Sequence, residues 1–144
     1  MKIRALTTAA LLSLVPAALV AQEPARKPAP EGARVYIIWP ADGAVIPGGA
    51  LWVRMGLQGM GVAPAGSAVA GTGHHHLIVD SDLPPLDEPI PNSPNHLHFG
   101  AGHTEARLEL PPGRHTLQML LGDENHVPHD PPAMSERITI IVPE

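Results

Sequence analysis

The sequence predicts an all-β protein: a single immunoglobulin-like antiparallel β-sandwich of about seven strands. Apolar residues recur at every second position in short runs, Gly and Pro punctuate those runs, and no stretch carries a sustained 3.6-residue period. The chain has 144 residues, room for one domain. Its 18 Pro and 14 Gly favour many turns over long elements.

The elements follow in order. Residues 1–21 carry Lys2 and Arg4, then an apolar stretch from Ala5 to Val15, then a small-residue region ending at Ala21. This is the layout of a secretory signal peptide, and the apolar core is shorter than the ~20 residues of a membrane span. Residues 22–33 are rich in Pro and charge and read as a disordered leader. Residues 34–144 form the expected domain. Val35, Ile37 and Trp39 mark one strand, and Leu51, Val53, Met55 and Leu57 a second. His74 to Asp80 reads as a third, with a short extended piece around Leu97. The segment 82–95 holds five prolines and must be a surface loop. Thr104 to Leu110 alternates Glu105, Arg107 and Glu109 against Ala106, Leu108 and Leu110, so one face is wet. Pro111, Pro112 and Gly113 then predict a tight turn that pairs this strand with Arg114 to Leu121 as a hairpin. Ile138, Ile140 and Val142 close the chain as a last strand.

Composition narrows the function. There are nine His and no Cys, which removes disulfides, thiolate metal sites and Cys nucleophiles together. The absent Cys also removes a lipid anchor on the mature N-terminus. Without Lys2 and Arg4 the nine cations fall to seven against 14 acids, a net charge near −7. Such a surface has no electrostatic hold on nucleic acid or anionic membranes. Neither is expected as a partner, and no membrane insertion is expected after signal cleavage. The location implied is the periplasm or the exterior.

The histidines cluster. In an extended chain residues two apart share a face, so His74 pairs with His76 and His96 with His98, while His75 turns the other way with Leu77 and Val79. Two such pairs on neighbouring strands, which lie about 4.8 Å apart, would gather four imidazoles. His126 and His129 flank Val127 and Pro128 in a proline-stiffened loop and could add ligands. Neutral imidazole binds copper or zinc, so the expected metal site is His74, His76, His96, His98, His126 and His129, with copper or zinc as the ion. Asp80, Glu105, Asp123 and Asp130 are candidate carboxylates to orient the rings. The alternative is a structural or interaction module, for an unknown periplasmic protein, whose histidines form a hydrogen-bonded network.

The runs GTGHHHLIVD (71–80), HLHFGAGHTEARLELPPGRHTLQMLLGDENHVPHDPP (96–132) and SERITIIV (135–142) together resemble the DUF4399 domain, found in small exported bacterial proteins. The resemblance implies a compact, immunoglobulin-like periplasmic β-domain, with His74, His75, His76, His96, His98, His115, His126 and His129 at the family's histidine positions. His103 falls outside that pattern. The resemblance brings no activity. The spacing from His98 to Glu105 and the early Pro111 to His115 segment do not match a cupin. No GxSxG, HExxH or P-loop is present, so no catalytic residue is assigned and an enzyme would need a bound metal.

Overall fold

The computed structural model describes residues 26–144; the expected signal peptide and the first four leader residues lie outside them. Eight strands form: β1 (Arg34–Trp39), β2 (Ala50–Gln58), β3 (Gly61–Val62), β4 (Thr72–Val79), β5 (His96–His98), β6 (Glu105–Glu109), β7 (Gly113–Gly122) and β8 (Ile138–Val142). They make a three-stranded sheet ordered β1-β2-β6 and a five-stranded sheet ordered β3-β4-β7-β8, with β5 also on β4. All pairings are antiparallel except the two-residue β3, which runs parallel to β4. That short strand carries the described count one past the expected seven. Among the described residues no helix is long and apolar enough to cross a membrane.

The inward-facing apolar residues of both sheets meet in one core. Val35, Leu51, Val53 and Met55 come from the small sheet, and Leu77, Val79, Leu117, Met119, Leu121, Ile140 and Val142 from the large one. Alternation is the cause: in β6 the acids and Arg107 are exposed, while Ala106 and Leu108 pack against the core. At ~25 cal/mol per Å² of buried apolar surface, such interlocked faces are the main stabilising term.

The expected β6–β7 hairpin does not form. β6 pairs with β2 in one sheet and β7 with β4 and β8 in the other, so Pro111 to Gly113 carries the chain between the sheets. A Pro-Pro-Gly turn fixes a reversal but not the partner, and β6 finds its partner in β2, where its apolar face meets the shared core. Residues 26–33, expected as a free leader, are tied down instead. The amide of Ala29 donates to the Asp130 carbonyl at 3.1 Å, that of Asp130 donates to the Lys27 carbonyl at 2.9 Å, and the Arg26 side chain bonds to the Pro128 and His129 carbonyls.

The large sheet has a second apolar layer on its outer face. Ile78, Leu120 and Ile90 are buried there, with Leu83 and Leu86 packed against them. The proline-rich loop 82–95 therefore lies over the sheet and roofs part of its outer face.

Candidate metal centre

The centre forms on that outer face. In β4, His74, His76 and Ile78 point outward while His75, Leu77 and Val79 point into the core, as period-two alternation requires. The β4–β5 register sets His76 opposite His98, and directly opposed residues share a face. The ligand-capable nitrogens of His74, His76 and His98 all lie within 4.8 Å of one another. His74 Nε2 and His76 Nε2 are 3.1 Å apart. That is close to the ~3.3 Å between two nitrogens on one tetrahedral ion at 2.0–2.1 Å.

A fourth imidazole packs against these three by its ring, although its nitrogens lie outside the group that converges within 4.8 Å. The His126 ring centroid is 5.0 Å from that of His74, 5.9 Å from His76 and 4.8 Å from His98. Asp123 builds the loop that delivers it. This buried carboxylate accepts from the Asn125 and Val127 amides at 2.8 and 2.9 Å, and its own carbonyl accepts from the His126 amide at 2.9 Å. His126 sits at φ +69°, a left-handed conformation that non-glycine residues adopt at a cost of ~1 kcal/mol or more.

Two glycines make room for the rings, and the sequence reading did not single out either. A Cβ on Gly100 would come within 2.3 Å of His98 Cε1 and 2.4 Å of its Nε2. A Cβ on Gly122 would lie 3.0 Å from His76 Nε2 and 3.1 Å from His126 Cα. A glycine two residues after a histidine carries no signal of this in sequence, because the contact depends on how the chain turns after β5.

The remaining histidines sit elsewhere. His96 shares the outer face but lies opposite Ile78, and its Nδ1 bonds to Ser93 Oγ at 3.0 Å. His129 is 1% exposed, with its Nδ1 buried and unpartnered among the described residues, beside a 180 Å³ cavity that Lys27 and Thr72 also line. Neither belongs to the three-nitrogen group. His103 is exposed. Both nitrogens of His115 are occupied, Nδ1 by Asp80 Oδ2 at 2.7 Å and Nε2 by the Pro111 carbonyl at 2.8 Å. Of the carboxylates named from sequence, Asp123 is the one placed to shape the centre. Asp80 serves His115, Glu105 lies on the exposed face of β6, and Asp130 is exposed beside Arg26. A larger cavity of about 480 Å³, lined by Trp39, Trp52 and Arg54 among others, contains no imidazole.

Electrostatics favour the neutral form of His74, His76 and His98. Burial, then the neighbouring His126 and His98, lower His74 from 6.5 to about 4 against the opposing field of Asp123. Burial, then His74, His98 and His126, lower His76 to about 2. Burial and His126 lower His98 as well. Neutral imidazole is the form that binds a metal. A self-contained hydrogen-bond network would instead use up the ring nitrogens. Apart from the His74–His76 contact, His74 Nδ1, His76 Nδ1 and His98 Nε2 are buried without a hydrogen-bond partner among the described residues.

No curated protein matches this chain. A family model described as a domain of unknown function (DUF4399) matches residues 53–143, more than half of the sequence and all of the histidine-bearing strands and loops. The chain belongs to the DUF4399 family.

Proposed function

We propose that this is an exported, periplasmic metal-binding protein, whose immunoglobulin-like sandwich serves to hold a zinc or copper ion on His74, His76 and His98. One observation carries the reading: three neutral imidazoles from two paired strands converge their ligand atoms to within 4.8 Å on a face where they have almost no other partners. Imidazole-only donors suit zinc and copper, and the absence of Cys leaves no thiolate competitor in the chain. The charged start and short apolar core of residues 1–21 support export.

Titration of metal-stripped protein with Zn(II) and Cu(II) tests this. A dissociation constant below about 10 μM, equivalent to roughly −7 kcal/mol, is expected, with loss of binding in His74→Ala and His98→Ala. At an ion concentration 100-fold above that constant the fold should gain about 2.7 kcal/mol, read as a higher melting temperature that a chelator reverses. Weaker binding, or binding indifferent to both substitutions, overturns the reading.

A further inference from the structure

We propose that His126 is the fourth ligand of a closed, tetrahedral, four-imidazole centre, and that the ion this geometry takes is Zn(II). This rests on the metal-binding reading above and goes beyond it in ligand number, ion and openness.

The six separations among the four ring centroids carry the argument. They are 4.9 Å for His74–His76, 5.0 Å for His74–His98, 5.0 Å for His74–His126, 5.1 Å for His76–His98, 5.9 Å for His76–His126 and 4.8 Å for His98–His126. Five edges of 4.8–5.1 Å and one of 5.9 Å describe a stretched tetrahedron, which His126, whose nitrogens lie outside the 4.8 Å group of the other three, completes by an inward turn of its ring. A tetrahedral ion about 2.0–2.1 Å from four imidazole nitrogens sets the ring centroids about 5 Å apart. A square-planar ion would demand two long diagonals on opposite pairs. Here the pair opposite the 5.9 Å separation is His74–His98, at 5.0 Å. The array is therefore shaped for zinc rather than for tetragonal Cu(II).

The loop geometry points the same way. His126 is held at φ +69° by the Asp123 turn, and Gly122 has no Cβ where one would press on both His126 and His76. Asp123 also supplies negative charge whose field reaches His74, offsetting an ion that four neutral ligands leave uncompensated. With all four tetrahedral positions taken by protein, no position is left for a substrate or an activated water. The centre holds an ion; it does not hydrolyse. The His126 carbonyl accepts from the Ile90 amide at 2.9 Å, so the loop that carries this ligand is also joined to the proline-rich roof.

The test uses the mature chain with Co(II), which reports its coordination number by visible absorption, followed by Zn(II) competition. His126→Asn is the informative variant, since Asn tolerates the left-handed backbone, and circular dichroism checks its fold. His103→Asn is the control. The wild type and the control should give the intense tetrahedral spectrum. His126→Asn should lose it and bind Zn(II) more weakly by over the 10–100-fold that loss of a mere outer-shell partner costs. A five- or six-coordinate spectrum in the wild type, or a His126→Asn variant with unchanged spectrum and affinity, each overturns the four-imidazole centre while leaving metal binding in place. No binding of any ion by the wild type overturns both.

Discussion

Replacing His75 by Leu should stabilise the metal-free protein, and more so in acid. His75 is fully buried in β4, opposite Leu121 in the β4–β7 register, and neither ring nitrogen has a hydrogen-bond partner among the described residues. A buried donor or acceptor left unsatisfied costs about 1–3 kcal/mol, so an apolar side chain of similar size should return about that much at pH 7.5. Protonation adds a second contribution. Burial lowers the folded-state pKa to about 4, while in the unfolded chain the ring takes its proton near 6.5. Between those values the unfolded state binds more protons than the folded one, so His75 makes stability fall as pH drops from about 6.5 to about 4. The full effect is about 3 kcal/mol, and at pH 5 about 2 kcal/mol of it is already present. Urea denaturation of wild type and His75→Leu in chelator, at pH 7.5 and pH 5, measures both. The gap between the two proteins should widen at the lower pH. An unchanged gap, or a less stable variant, would show that the ring nitrogens are satisfied and that the core reading of His75 is wrong.

Two further outcomes follow from contacts around the rings. Gly100→Ala should weaken metal binding at least tenfold, as the new methyl displaces the His98 ring, while stability in chelator changes by less than about 1 kcal/mol; titration and denaturation of the same sample check this. His115→Gln should destabilise the protein at pH 5.5 and do so less at pH 8.5. Burial alone would lower His115, but its bond to Asp80, the Pro111 carbonyl and the Asp80 charge raise it overall. The stability it contributes is thus complete below the unfolded value of 6.5 and lost as pH rises through the higher folded value. Urea midpoints across that range measure it, and a loss that grows toward alkaline pH would refute the ion-pair account.

Alternation made the strands legible. Val35 to Trp39, Leu51 to Leu57 and Thr104 to Leu110 each signal one inward face, and the same rule separated His75 from His74 and His76 before any coordinates. The identity of the partner strand was not legible. Pro111 to Gly113 marks a reversal equally well whether the strands it joins share a sheet or leave it, so β6 joining β2 had to come from the structure. The site was legible in the same uneven way. The His74/His76 and His98 faces follow from spacing, but His96 and His98 are interchangeable by alternation. Only the β4–β5 register, with His98 opposite His76 and His96 opposite Ile78, distinguishes them. Likewise His126 and His129 look equivalent within one loop, until the Asp123 turn sends one ring to the cluster and the backbone pairing with residues 27–29 holds the other away.

Several departures from ordinary folding rules sit around the imidazole cluster. His74 Nδ1, His76 Nδ1 and His98 Nε2 are buried without partners, His126 holds a left-handed backbone without being glycine, and Gly100 and Gly122 interrupt the neighbourhood of the rings. Each feature by itself destabilises, by about 1–3 kcal/mol for an unpaired buried group and about 1 kcal/mol or more for the strained backbone. A domain of this size has only about 5–15 kcal/mol of net stability, so several such costs within one cluster are a large share of it. Several of these costs fall on the four rings whose centroids form a tetrahedron, while others lie at His75, His96 and His129, and a bound ion would engage one nitrogen on each of the four rings, offsetting part of the cost of holding them together.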